Sequence, residues 1–196
     1  MNRIARSVAK SILRTAVVAS FLIALSLVAP AAALAQSVET TIVEFYNASL
    51  DHYFVTHDEL EIFTLDNAIP SRGWERTGET WRVRSAPVTG MSPVCRFYIP
   101  PSEGDSHFYG RDIAECAATA TGHPSFVNES SAFFHVALPV HGTCTPGTRS
   151  LYRVFNNRRD ANHRYTIDRG IRDLMVEVGW IAEGDGDDRV AMCVAF

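Results

Sequence analysis

The chain has 196 residues, 46% of them hydrophobic, which is enough length and apolar content for one folded core. Its formal net charge is −4 and its sole lysine is Lys10. A surface without clustered lysine is a poor match for a phosphate backbone, so nucleic acid is excluded as an expected partner.

Arg3, Arg6, Lys10 and Arg14 open the chain with no acidic residue among them, and Thr15 to Ala29 is almost wholly apolar. Pro30 breaks any helix, because it lacks a donor N–H and clashes with the preceding turn. Behind it, Ala33-Leu34-Ala35 is the small-x-small pattern that a signal peptidase cleaves. The apolar run is shorter than the ~20 residues that span a bilayer. Residues 1–35 are therefore expected to be a signal peptide, and 36–196 a single secreted or periplasmic domain with no membrane association. Losing the four basic residues takes the formal charge from −4 to −8.

All four cysteines, Cys95, Cys116, Cys144 and Cys193, follow this segment, and in an exported chain an even number reads as disulfides. None stands in a Cys-x-x-Cys, so the spacing does not suit zinc.

Past the signal the chain reads as three copies of one unit, at about 42–83, 94–136 and 149–196. Each opens with an aromatic strand: Val43-Glu44-Phe45-Tyr46-Asn47, Cys95-Arg96-Phe97-Tyr98 and Tyr152-Arg153-Val154-Phe155-Asn156. A polar turn leads to a histidine among aromatics: His52-Tyr53-Phe54, His107-Phe108-Tyr109 and His163-Arg164-Tyr165. Asp58, Asp112 and Asp168 then open helices, with Glu61 and Glu115 completing a reciprocal capping box in the first two. The third lacks that Glu, and its cap is expected to be weaker. Its helix is read from the apolar spacing of Ile171, Leu174, Met175 and Val178. Gly73-Trp74, Phe126 and Gly179-Trp180 precede the closing strands. The Ala-rich stretch 117–122 reads as a helix end and loop.

The expected fold class is α+β and β-rich, with three strand–strand–helix–strand repeats around a pseudo-threefold axis, propeller- or trefoil-like. Four cysteines allow three pairings. The repeat layout favours Cys95–Cys116, which packs the second helix on its own strand, and Cys144–Cys193, which ties down the last strand.

At these motifs the chain resembles a family of bacterial secreted repeat domains with no assigned function. Its units read Tyr-Arg-Phe-Tyr-Asn, His-Phe-Tyr-Thr and Gly-Trp-x-x-Glu-Gly. The matching residues are Cys95 to Tyr98 with His107 to Tyr109, Leu151 to Asn156 with His163 to Thr166 and Gly179 to Gly184, and Phe45 to Asn47 with His52 to Thr56 and Gly73-Trp74. Members of that family resemble accessory modules joined to secreted hydrolases or surface domains, which implies binding or structural support. The resemblance carries no catalytic residues.

The chemistry-bearing candidates are His52, His107 and His163. They could converge near the axis on a metal or anion, or hydrogen-bond inside their own units beside Asn47 and Asn156, which pin turns. The second reading is preferred, and no metal or other cofactor is expected. Tyr53, Phe108 and Tyr165 join the histidines as candidate ligand-binding residues, because exposed aromatics stack on sugar rings. The acidic turn Glu183 to Asp188 lacks the spacing of a calcium loop and reads as a solvated turn. There is no Gly-x-Ser-x-Gly, no His-Glu-x-x-His and no Gly-rich phosphate loop. The functional expectation is a non-catalytic binding or envelope-associated module with a glycan or cell-wall polymer as partner. The alternative is a small secreted hydrolase on the same scaffold.

Overall fold

A computed structural model describes residues 39–67 and 73–196, and the expected signal peptide lies outside the described residues. The order strand–strand–helix–strand occurs three times. The first segment holds β1 (Glu39–Asn47), β2 (His52–Thr56), α1 (Glu59–Asn67) and β3 (Trp74–Arg84). The second holds β4 (Ser92–Ile99), β5 (Ser106–Gly110), α2 (Ile113–Gly122) and β6 (Val127–Val136). The third holds β7 (Thr148–Phe155), β8 (His163–Thr166), α3 (Arg169–Glu177), β9 (Ile181–Glu183) and β10 (Val190–Ala195).

Among the described residues ten strands form one open antiparallel sheet along the path β5-β4-β6-β3-β10-β7-β8, with β1, β2 and β9 flanking it. Within a segment the pairing is continuous, as in β1 with β2 and β3. Between segments it shrinks to single pairs: Arg84 with His135, Arg82 with Ala195, and an isolated bridge between Ala137 and Cys193. Side chains therefore hold the junctions more than backbone ladders do.

The central core contains Val55, Tyr109 and Tyr165 with Trp81, Phe134, Leu151 and Met192. Two tyrosines can be buried there because their hydroxyls find partners. The Tyr165 hydroxyl donates to the Tyr109 carbonyl at 3.1 Å and accepts from the Tyr109 N–H at 2.9 Å, while the Tyr109 hydroxyl donates to the Val55 carbonyl. Burial raises the pKa of both phenols, so both stay protonated donors.

The helix starts differ in detail from the capping-box expectation. Asp58, Asp112 and Asp168 each accept backbone N–H groups at their helix starts. Glu61 and Glu115 do not return to the cap N–H. Glu61 accepts from the Thr56 hydroxyl and Arg96, and Glu115 from the Arg111 N–H and Arg153, because a buried guanidinium is the stronger donor. The third helix caps through Asp168 alone, which accepts from both Gly170 and Ile171. Along α3, Met175 is buried but Leu174 and Val178 are exposed. Arg172 takes the inner face instead, with its guanidinium over the Tyr152 ring. Residues 117–122 are helical throughout.

The four cysteines form Cys95–Cys116 and Cys144–Cys193, the pairing the repeat layout favours. Gly110 makes room for the first bridge. A Cβ there would sit 2.8 Å from the Cys95 sulfur and 3.1 Å from that of Cys116. Thr56 and Thr166 occupy the corresponding place in the other segments, where no disulfide intrudes. Replacing Cys95 and Cys116 together with alanine is expected to cost about 3 kcal/mol, from the loop-closure entropy of a 21-residue separation. Urea midpoints of the oxidised wild type and the double variant check this value.

Candidate functional site

Three side-chain rows repeat across the junctions, and strand register identifies them. Tyr46 faces Tyr53, Tyr98 faces His107 and Phe155 faces His163. His107 and His163 therefore correspond to Tyr53. His52 pairs with Asn47 one step earlier, at the position of Ser106 and Asn162, so the three histidines are not equivalent.

His52 is 2% exposed, and its Nε2 lies 3.5 Å from Asp160. It belongs to the inter-segment joint, like its two counterparts. The Ser106 hydroxyl donates to the Ala161 carbonyl, and the Asn162 amide pairs with both backbone groups of Tyr53. Asn47 and Asn156 pin their turns by accepting backbone N–H groups.

His107 lies between Phe54 at 4.8 Å and Tyr98 at 5.4 Å, ring to ring. His163 lies between Phe108 at 5.0 Å and Phe155 at 4.9 Å. At the third junction Tyr53 lies between Arg164, whose guanidinium is 4.1 Å over its ring, and Tyr46 at 4.7 Å. Each row thus sets a residue from the second strand of one segment against two from the next.

Behind the rows run partly buried ion pairs that link each segment to the following one. Arg96 of β4 reaches Glu61 of α1 at 2.9 Å, and Arg153 of β7 reaches Glu115 of α2 at 2.7 Å. Each arginine also meets a carboxylate of its own segment, Glu129 at 2.8 Å and Glu183 at 2.7 Å. At the third junction the charges are exchanged. Glu44 of β1 stands where the arginines do and is held by two hydrogen bonds of 3.0 Å from Arg164 of β8. That exchange explains why α3 has Ile171 where α1 and α2 carry Glu.

Burial would raise the Glu115 carboxyl, but hydrogen bonds and charge from Arg153 outweigh it and hold it below the ordinary range. Burial wins at Glu183 and pushes it up. Burial, with the charge of Arg153 beside it, also drives His163 well below its ordinary pKa. Its 3.5 Å approach to Glu183 is thus a contact of a neutral ring, not an ion pair. A histidine kept neutral in the fold makes stability fall as pH drops below about 6.5, where the unfolded chain takes up a proton that the fold refuses. His163→Phe, which keeps a ring in the row, is expected to flatten that loss. Urea midpoints from about pH 7.5 down to about pH 5 compare the two.

Two cavities open in front of the rows. One, about 520 Å³, lies between the first and second segments and is lined by Tyr53, Phe54, Glu61, Trp74, Tyr98 and His107 among others. The other, about 420 Å³, lies between the second and third and is lined by Phe108, Glu115, Phe126, Phe155 and His163 with Arg153. The linings match position for position: Phe54 with Phe108, Glu61 with Glu115, Trp74 with Phe126, Tyr98 with Phe155, and His107 with His163. Of the candidate binding residues, Tyr53, His107, Phe108 and His163 thus lie at cavities, while Tyr165 is 2% exposed in the core and His52 sits in the joint.

Arg96, Arg153, Glu61 and Glu115 fall outside the candidate residues of the sequence. Their signal was present as an Arg in two of three opening strands, matched by a helix-start Glu in the preceding segment. Among the described residues no group of three or more His, Cys, Asp or Glu is placed to hold a metal ion. The acidic turn is bound by arginines, Asp185 to Arg111 at 2.9 Å and Asp188 to Arg169 at 2.6 Å.

No curated protein and no solved structure matches the chain. One family does, over residues 26–136, a stretch that contains β1 through β6 and exceeds half of the chain. The chain therefore belongs to that family, described as a domain of unknown function (DUF5648).

Proposed function

We propose that the chain is an exported, non-catalytic binding module that holds a glycan or cell-wall polymer in its two junction cavities. In this reading it is a bacterial envelope-associated or secreted protein, released by cleavage after Ala35. Its three segments are copies of one unit, set propeller-like about a pseudo-threefold axis near Val55, Tyr109 and Tyr165. The observation that carries the reading is the position-for-position match of two aromatic cavities with polar groups at their rims. Aromatic faces stack on the apolar faces of sugar rings, and neighbouring polar groups orient the hydroxyls.

Two further observations support it. Glu61, Glu115, Glu129 and Glu183 are engaged by arginines, which suits a rigid frame better than general acid–base work. Two disulfides suit an oxidising compartment, and no helix among the described residues is long and apolar enough to cross a membrane.

The test is retention of the chain on insoluble peptidoglycan, cellulose and chitin, with Trp74→Ala and Phe126→Ala as cavity variants. Retention on one polymer, weakened in each variant, is the expected result. Absence of retention on all three would sink the polymer reading. Release of soluble sugar from the bound polymer would replace it with the small hydrolase.

A further inference from the structure

We infer that the cavity between the first and second segments binds an organic ammonium group, free or carried on a polymer. The inference rests on the reading of the junction cavities as binding sites and comes from comparing the three junctions. At the second junction the guanidinium of Arg153 sits 4.8 Å over the Phe108 ring, and at the third that of Arg164 sits 4.1 Å over Tyr53. Both rows therefore hold a cation of the chain's own on an aromatic face. At the first junction Arg96, the counterpart of Arg153, is turned to the Phe133 ring at 4.2 Å. Tyr53, with Arg164 over it, also lines the first cavity, but among the described residues no guanidinium lies over its other aromatic walls, Phe54, Tyr98 and Trp74.

A second cation is missing from the same place. At the third junction Asp51 accepts the Tyr46 hydroxyl at 2.9 Å and is neutralised by Arg158 at 2.6 Å. At the first junction Asp105 accepts the Tyr98 hydroxyl at 2.6 Å in the same way, and no ion pair to Asp105 occurs among the described residues. At the second junction Ala161 takes that position, and there is no carboxylate to neutralise.

The first cavity thus combines aromatic walls with a carboxylate at its rim, where its counterparts supply arginine or lack the charge. Phe54 and Trp74 meet edge to face at 66° and both line the cavity, which gives a cation aromatic walls in two orientations. The hydroxyl of Tyr98, donating to a carboxylate, enriches its ring and strengthens its attraction for a cation. At about 520 Å³ the space admits a trimethylammonium or a protonated amino sugar.

Isothermal titration with matched pairs tests this. Choline is compared with 3,3-dimethylbutan-1-ol, which has the same shape without the charge. A glucosamine tetramer is compared with the neutral N-acetylglucosamine tetramer. At least one cation of the two pairs is expected to bind about tenfold more tightly than its neutral counterpart. Preference for choline indicates a free ligand and preference for the glucosamine tetramer a polymer-borne one.

Asp105→Asn is expected to weaken that cation several-fold and leave the neutral partner unchanged. The variant is a fair one, since asparagine accepts the left-handed backbone at φ 49° and can still accept from Tyr98. Equal binding within both pairs, no binding of either cation, or wild-type affinity in Asp105→Asn would overturn the inference. Retention on neutral polymers with no ammonium preference would leave the polymer reading standing and remove this one. Ammonium binding without polymer retention would do the reverse.

Discussion

Replacing Arg153 with methionine is expected to destabilise the chain by about 4 kcal/mol, read as a lower urea midpoint. The side chain of Arg153 is only 6% exposed, and it makes two hydrogen bonds to Glu115, one to Glu183 and one to the Tyr109 carbonyl. Methionine fills much of the volume but strands two half-buried carboxylates beside each other, with only the more distant charge of Arg111 near Glu115. The cost is that of the stranded charges, not the net value of the pairs. Removing all three charges, in Arg153→Met with Glu115→Gln and Glu183→Gln, is therefore expected to recover more than half of the loss. A single-variant cost near that of an exposed ion pair, below about 1 kcal/mol, would mean that water reaches the cluster and that it does not hold the junction.

How far such a cluster can be read from sequence depends on how local its partners are. The strands, helix starts and turn asparagines were legible because each rests on neighbours: aromatic runs, an Asp before a helix, an Asn two residues from the N–H it binds. The histidine rows were read one step out. Four residues separate Asn47 from its strand partner His52, six separate Ile99 from Ser106, and five lie between Asn156 and Asn162. Aligning the motifs on histidine absorbs those unequal turns, whereas cross-strand pairing does not, and a shift of one residue moves a side chain to the other face. The ion pairs were out of reach for a different reason. Their partners lie 35, 38 and 120 residues apart, and which Glu meets which Arg is settled by how the segments abut. The trace in the sequence is only the pattern of types: an Arg in two opening strands matched by a helix-start Glu, and Glu44 and Ile171 in their places in the exchanged pair.

That exchanged pair gives the second large effect. Arg164→Met is expected to cost about 4 kcal/mol near neutral pH, and the deficit should shrink as the pH is lowered. Glu44 is wholly buried, and even with Arg164 in place burial holds its carboxyl above the ordinary range. Without the guanidinium no other cation among the described residues replaces the lost bidentate contact, and the carboxyl rises further. A carboxyl raised in the fold favours the folded state below the unfolded value of about 4.3, where both forms are protonated. As pH climbs past that value the unfolded chain releases a proton that the fold retains, and stability falls. The gap between variant and wild type should therefore widen from about pH 4 to about pH 7. Adding Glu44→Gln should remove the pH dependence and restore much of the stability, since the amide needs no counter-charge. A gap that stays constant with pH would show that the variant suffers from lost packing over Tyr53 and Met175, which Arg164 also touches, and not from a stranded charge.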